Sequence, residues 1–181
     1  MKKIILTAAA VFALSFANAQ DTKYGVKGGL NMSNVSNAEG SSSLLAFHLG
    51  GFAEFKISDK FAVHPELLYS AQGAKFDGFN YNLNYINVPV MAKYYVADAF
   101  SIEAGPQIGF LMSAKVDGVD FKEFCKTTDF GLNLGAGYNL NENMSLGLRY
   151  SMGLSEIEKE VAVGDSGSKN SSFQLSFGYK F

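Results

Sequence analysis

Two histidines and a scatter of carboxylates are the side chains of this sequence whose chemistry could support a reaction. His64 lies two residues before Glu66, and serines are frequent along the chain. A histidine with a serine and a glutamate is a hydrolase combination, in which the histidine takes the proton of the attacking hydroxyl. His48 and His64 make a poor metal site, because no cysteine lies near either of them. Hydrolysis is therefore the one reaction that these residue types suggest.

The sequence contains no binding motif for a cofactor or for nucleic acid. Residues 131–137 are rich in glycine, but they alternate as a strand does and no helix follows to bind a phosphate. The lysines are scattered rather than clustered, and the net charge is −2, so nucleic acid is not an expected partner. We expect no cofactor, no metal and no nucleic-acid contact.

Residues 170–181 show which kind of element positions these side chains. Every second residue from Phe173 to Phe181 is apolar, and four of these five residues are aromatic. A period of two sends the apolar residues to one face of a β-strand and the polar residues to the other. The aromatic face needs either a second protein layer or lipid to cover it.

Seven further segments repeat this alternation and bring the number of predicted strands to eight. Connections between them are alternately long and short, and the series begins and ends with a long one. An even number of strands of about 10–14 residues with this layout is typical of transmembrane β-barrels, which have brief periplasmic turns and larger external loops. The predicted strands are residues 23–34, 44–57, 61–74, 85–96, 100–112, 128–140, 144–154 and 170–181.

The direction of the apolar face separates two kinds of barrel. In a soluble calyx the apolar face would look inward around an apolar ligand. Here the other face has many Gly, Ser and Asn residues, which suits a narrow interior, and the apolar face is too bulky for the inside of eight strands. The sequence therefore predicts an all-β, eight-stranded antiparallel up-and-down transmembrane β-barrel, with the periplasmic calyx as the alternative.

The first 19 residues have the layout of a secretory signal peptide. Lys2 and Lys3 are followed by a short apolar run and by Ala17-Asn18-Ala19, a small-residue cleavage site. We predict that residues 1–19 are a cleaved signal peptide and that residues 20–181 form one barrel domain in the outer membrane of a Gram-negative cell. The single cysteine, Cys125, has no partner for an internal disulfide and is expected to be a bystander.

Strand parity places ten charged or titratable side chains on the inner face. Eight strands leave only enough room for side chains to fill the interior, so acids and bases must pair there. We expect Arg149 and Lys93 to pair with some of Glu54, Glu66 and Glu103, in a packed polar network rather than a conduction path. The ten residues are Lys27, His48, Glu54, Lys56, Glu66, Lys93, Glu103, Asp129, Arg149 and Lys180.

The same parity argues against an enzyme. Some small outer-membrane barrels hydrolyse lipid A with a site that faces the lipid near the outer rim, and such a site needs its nucleophile and base within hydrogen-bond reach. His48 and His64 both fall on the inner face. A lipid A-directed hydrolase is therefore the weakest of the alternatives.

Several segments resemble the small outer-membrane β-barrels of the PorT-like group. The resemblance implies the same barrel with no catalytic signature, and the group's named member is tied to a protein-secretion apparatus. The terminal Phe181 looks like the final aromatic residue that the barrel-assembly machinery recognises. The segments are YGVKGGLNMSN, YINVPVMAKYY, AGPQIGFLMSAK, DFGLNLGAGYNL and RYSMGL.

Together these observations predict a non-enzymatic protein of structural or interaction type. Its expected partners are the lipid bilayer, the barrel-assembly machinery and an envelope protein that the sequence does not name. Its surface loops are the expected contact sites, and a role as accessory to a membrane assembly or secretion apparatus is the more specific hypothesis.

Overall fold

The computed structural model describes residues 22–36, 40–76, 78–159 and 167–181; the predicted signal peptide lies outside them. These residues form almost only β-strands, with one short 3-10 helix, and among them no helix is long and apolar enough to span a membrane. The strands are β1 (Thr22–Ser36), β2 (Ser42–Ser58), β3 (Phe61–Phe76), β4 (Phe79–Tyr95), β5 (Phe100–Val116), β6 (Val119–Asp120), β7 (Thr128–Asn139), β8 (Met144–Gly153) and β9 (Lys169–Lys180), and the 3-10 helix is Lys122–Phe124.

Eight of these strands close into an antiparallel barrel. Each long strand pairs with the next long strand along the chain, and β1 pairs with β9 from Gly25 opposite Lys180 to Ser36 opposite Lys169. This last ladder closes the wall, so no long strand is left with an unpaired edge. The prediction of an eight-stranded antiparallel barrel is confirmed, and the two-residue β6 is an addition at the external end of β5.

The two faces of the wall differ in polarity as the alternation predicts. On β9, Leu175 is 56% exposed, whereas its neighbours Gln174 and Ser176 are 2% and 5% exposed. The large outward side chains are apolar on every long strand, and most of the buried lumen side chains are polar or charged. An outward apolar belt and a polar interior exclude the soluble calyx, because that alternative requires an apolar interior.

One side of the barrel is taller than the other. Strands β2 to β5 have 16 or 17 residues, whereas β7, β8 and β9 have 12, 10 and 12. At about 3.3 Å per residue and a tilt of about 40°, 17 residues rise about 43 Å and 12 residues about 30 Å. Only the shorter rise matches the hydrocarbon core, so the tall side extends beyond the bilayer.

This tall side corrects one sequence prediction. Residues 75–84 were expected to form a long external loop, but β3 continues to Phe76 and β4 begins at Phe79. Similarly, β5 continues to Val116 and turns through Asp117 and Gly118, both with positive φ, into β6. Asp-Gly is the preferred pair for a two-residue hairpin turn of this kind.

A charge on the outward face tests the membrane contact. Leu148 lies at the middle of β8 and is 57% exposed, so we expect Leu148→Arg to lower the free energy of unfolding by about 2–4 kcal/mol in a lipid bilayer. Urea unfolding in lipid vesicles measures this loss. The control is Val119→Arg in the external β6, with an expected change of about 0.5 kcal/mol or less. Equal losses for the two variants would contradict contact between the wall and lipid.

Candidate functional site

The periplasmic half of the lumen carries a layer of ion pairs centred on Arg149. Its Nη1 donates to Oε2 of Glu66 at 2.8 Å and its Nη2 to Oε1 of Glu66 at 2.7 Å. Nη2 also lies 3.4 Å from Oε2 of Glu103, and Lys27 Nζ donates to Glu66 Oε1 at 3.1 Å. The planar guanidinium matches the carboxylate with two parallel hydrogen bonds, a geometry that a lysine does not offer.

Glu54 is the second centre of this layer. Its carboxylate accepts hydrogen bonds from Lys93 Nζ at 2.9 Å, Lys180 Nζ at 3.3 Å and the Tyr95 hydroxyl at 2.9 Å. Lys93 also lies 3.4 Å from Glu103. Each carboxylate of the layer therefore faces at least two cations, as burial of charge requires.

His64 connects the two centres. Its Nδ1 lies 3.3 Å from Glu54 and its Nε2 3.2 Å from Glu66. The sequence analysis weighed His64 as a catalytic residue and as a metal ligand, but did not include it in the inner network, although its inward parity and its position two residues before Glu66 were signals for that place. Its contacts place it in the ion-pair layer instead.

The residues singled out from the sequence divide between this layer and other places. Lys27, Glu54, Glu66, Lys93, Glu103 and Arg149 lie in the ion-pair layer, and Lys180 joins them. His48 lies apart, hydrogen-bonded to neutral side chains, and Asp129 lies near the external end of the lumen. Lys56 was expected inside, but it is exposed at the periplasmic mouth because β2 extends past the lumen there.

His48, Ser176 and Asn31 form a hydrogen-bonded chain that has the order of a hydrolase triad. His48 Nε2 lies 2.9 Å from Ser176 Oγ, and Nδ1 lies 2.7 Å from Asn31 Oδ1. All three side chains are buried inside the barrel. The cavity that adjoins Ser176 is about 30 Å³, which is room for about two water molecules. An ester substrate does not fit, so the chain of hydrogen bonds is best explained as a polar part of the core.

Open space is concentrated at the periplasmic mouth. A cavity of about 710 Å³ lies there, lined by residues that include Lys23, Lys56, Asp98, Glu142 and Lys180. Two cavities within the described lumen are about 30 Å³ and 10 Å³. The lumen is therefore a packed core, as expected for eight strands, and the larger cavity is a vestibule outside it.

The external end is closed by a cap that the two long loops form together. Cys125 and Glu158 form an isolated antiparallel bridge, and Lys126 N donates to Ile157 O at 2.7 Å. Lys159 N donates to Phe124 O at 3.0 Å, and Lys126 Nζ to Glu156 Oε2 at 3.0 Å. This hydrogen bond lowers the pKa of the Glu156 carboxyl. Residues 124–126 and 156–159 are thus joined to each other.

An apolar cluster fixes the cap to the tall side of the barrel. Cys125 and Ile157 point into it and are buried, and the Tyr81 hydroxyl lies 3.2 Å from Cys125 Sγ. Burial raises the pKa of the Cys125 thiol, which keeps it protonated and unreactive at neutral pH. The cluster consists of Val35, Ala74, Leu83, Tyr85, Leu111, Ala114, Cys125 and Ile157.

The outer surface of the cap exposes apolar side chains above the membrane. Phe124 is 54% and Val119 70% exposed. Phe121 and Phe124 lie with ring centroids 4.7 Å apart, and Phe76 and Phe79 stack at 4.9 Å. We call the four exposed residues Phe79, Val119, Phe121 and Phe124 the cap patch; Phe76 packs against the buried cluster beneath it. Exposed apolar surface outside the lipid belt is a mark of a contact site.

The family of the chain follows from its barrel and its sequence together. The family model of the outer membrane protein beta-barrel domain matches residues 4–181. The chain belongs to this family. It is accordingly an outer-membrane β-barrel of Gram-negative type. Among curated proteins none matches the sequence.

Solved structures of other outer-membrane barrels share the fold. Neisserial surface protein A aligns with a TM-score of 0.66 at 15% identity, over 90% of this chain and 100% of the other. The attachment invasion locus protein Ail of Yersinia pestis aligns with a TM-score of 0.57 at 16% identity, over 90% and 100% of the two chains. At such low identity the likeness concerns the fold alone.

The ion-pair layer predicts a large loss of stability when its central cation is removed. We expect Arg149→Met to lower the free energy of unfolding by about 3–5 kcal/mol, because Glu66 keeps a buried charge without its main partner. Arg149→Lys should lose less, since it keeps the charge but not the paired hydrogen bonds. Urea unfolding in lipid vesicles measures both.

The control for this experiment is the exposed pair in the cap. Lys126 and Glu156 form a salt bridge with both side chains more than a third exposed, so Lys126→Met should change the free energy of unfolding by about 1 kcal/mol or less. An Arg149→Met loss no larger than that of Lys126→Met would show that the layer does not stabilise the barrel.

Proposed function

We propose that this protein is a non-enzymatic, non-conducting outer-membrane barrel that contacts another molecule through its external cap. The observation that carries the proposal is the cap patch, because it exposes aromatic side chains beyond the lipid belt on a scaffold of paired strands and joined loops. Aromatic side chains supply large contact area at low entropic cost and are enriched at interfaces. A flexible polar loop would offer neither the large contact area nor the low entropic cost of binding.

The packed lumen supports the non-conducting part of the proposal. Three carboxylates and four cations fill the periplasmic half, and the cap cluster fills the external end. Eight strands leave little further room. The packed lumen therefore favours the surface of the barrel, and not its interior, as the functional region.

A lipid A-directed hydrolase has less support than a contact protein. The one Ser–His–Asn arrangement described above faces the lumen, and its neighbouring cavity is about 30 Å³. The structural neighbours named above are barrel proteins whose names describe a surface protein and an attachment protein. These observations favour a protein without catalytic activity.

More specific roles follow the sequence hypotheses. Cleavage after Ala19 would leave residues 20–181 as the mature barrel, and Phe181 would be its assembly signal. Phe181 is 74% exposed and its N–H donates to Tyr24 O at 2.8 Å, so the ring is accessible beside β1. A PorT-like role as accessory to a secretion apparatus is the corresponding hypothesis for the partner of the cap.

Cysteine labelling tests the orientation that the proposal requires. In a Cys125→Ser background, Val119→Cys in the cap should react with a membrane-impermeant maleimide on intact cells. Asp98→Cys, in the turn between β4 and β5, should react only after the outer membrane is permeabilised. Labelling of Asp98→Cys but not Val119→Cys on intact cells would invert the barrel and remove the external cap from the proposal.

Site-specific cross-linking tests the contact itself. A photoreactive phenylalanine analogue at Phe124 should give a cross-linked product of discrete mass in living cells, and Phe121→Ser should reduce its yield because it breaks the aromatic pair. The same analogue at Leu175 on the lipid face is the matched control. Products from Leu175 and none from Phe124 would show that the contact surface is the wall and not the cap.

A further inference from the structure

The external half of the lumen contains a half-buried acid that has no counter-charge. Asp129 lies at the second position of β7 and lines a cavity of about 10 Å³ with Gln107, Ser151 and Asn170 among its neighbours. Within the described residues, no hydrogen bond or salt bridge is found for the Asp129 carboxylate. No other titratable side chain lines this cavity.

The cations of the ion-pair layer are too far away to neutralise Asp129. Arg149 lies opposite Gly135 on β7, and six residues separate Gly135 from Asp129, which corresponds to about 20 Å along the strand. Arg149 is moreover engaged with Glu66 and Glu103. A negative charge that is partly withdrawn from water and has no partner is unfavourable, so the cavity favours a positive or hydrogen-bond-donating guest.

Neighbouring oxygen atoms are also left without donors. Ser151 Oγ and Asn170 Oδ1 both belong to residues that line the cavity, are buried, and have no hydrogen-bond partner in the described structure. Asn133 Oδ1 is unpaired as well, and Asn133 lies opposite Ser151 in the β7–β8 ladder. One N–H of each of these amides is already engaged, since Asn170 Nδ2 donates to Gln72 and Asn133 Nδ2 donates to Gln107.

A carboxylate beside buried oxygen atoms that have no partner indicates the chemistry of the guest. A water molecule donates two hydrogen bonds and leaves the charge of Asp129 in place. A metal cation satisfies several oxygens at once and cancels the charge. Carboxylate, amide and hydroxyl oxygens are hard ligands that favour hard cations, and Mg²⁺ gives up its own water shell reluctantly.

We propose that Asp129, Ser151 and Asn170 hold one small monovalent cation of sodium size inside the barrel, just below the cap. The charge of one carboxylate balances one such ion. The cavity has room for a single occupant, because about 10–15 Å³ is the space that one water-sized probe occupies. The ion cross-links β7, β8 and β9 at the external end, where the ion-pair layer does not reach.

Thermal unfolding of the purified barrel in vesicles tests the proposal. The unfolding temperature is measured at pH 8 and constant ionic strength in chloride salts of sodium, potassium, calcium, magnesium and N-methylglucamine. Sodium at ten times its dissociation constant should raise the unfolding temperature by about 3–6 °C relative to N-methylglucamine, in a saturable manner. Asp129→Asn should abolish this difference, and Ser151→Ala should raise the sodium concentration needed for half of it.

The matched control is Glu123→Gln, which removes an exposed acid from the cap and should leave the sodium effect unchanged. Equal unfolding temperatures of the wild type in all salts would overturn the proposal in favour of water or a protonated carboxyl. A sodium effect that persists in Asp129→Asn would overturn it as well. A larger effect of calcium or potassium than of sodium would refute the assignment of a sodium-sized monovalent ion.

Discussion

Closure of the hydrogen-bond ladder is the constraint on which the rest of this structure depends. In hydrocarbon no water satisfies a free N–H or C=O group, so a spanning sheet must pair its first strand with its last. The ladder between β1 and β9 does this, with Gly25 opposite Lys180 near one end and Ser36 opposite Lys169 at the other. Once the wall is closed around eight strands, both the apolar outward face and the narrow lumen follow.

The narrow lumen in turn explains the ion-pair layer. Polar side chains directed inward have no bulk water to solvate them, so a charge placed there needs a partner from another strand. Glu66 on β3 meets Arg149 on β8 and Lys27 on β1, and Glu54 on β2 meets Lys93 on β4 and Lys180 on β9. These contacts cross the barrel and join strands that are not neighbours in the wall. The layer is thus both a filling for the lumen and a link between opposite walls.

The unequal height of the wall has consequences at the external end. Strands β2 to β5 rise beyond the lipid, and their inner faces would be left without cover there. The cluster around Tyr85, Cys125 and Ile157 supplies this cover, because the joined segments 124–126 and 156–159 bury apolar side chains against the tall side. The cap patch lies on the outer surface of the cap, and the buried apolar cluster beneath it holds the cap against the tall side.

The sequence by itself determined the barrel class, because the alternation of apolar and polar residues can be recognised in each strand separately. An alternation of two is readable in residues 170–181 without knowledge of any partner strand, and it also placed Arg149, Lys93 and the three glutamates on the inner face. The height of the tall side was not readable in this way. Asn80, Asn82 and Asn84 continue the alternation of β4 with polar residues outward, since no lipid contacts them, and the apolar signal ends although the strand does not. The Asp-Gly pair at residues 117–118 was the local signal for the β5–β6 hairpin.

Only the tertiary structure decided which inward residues meet. Parity gives a face and not a height or an angle around the barrel, so it did not distinguish His64, which bridges Glu54 and Glu66, from His48, which bonds to Asn31 and Ser176. Nor did it separate Lys56 at the exposed mouth from Asp129 beside a small cavity of the lumen. These differences depend on the register and tilt of eight strands together, and the joining of two distant loops into a cap depends on the closed wall beneath them.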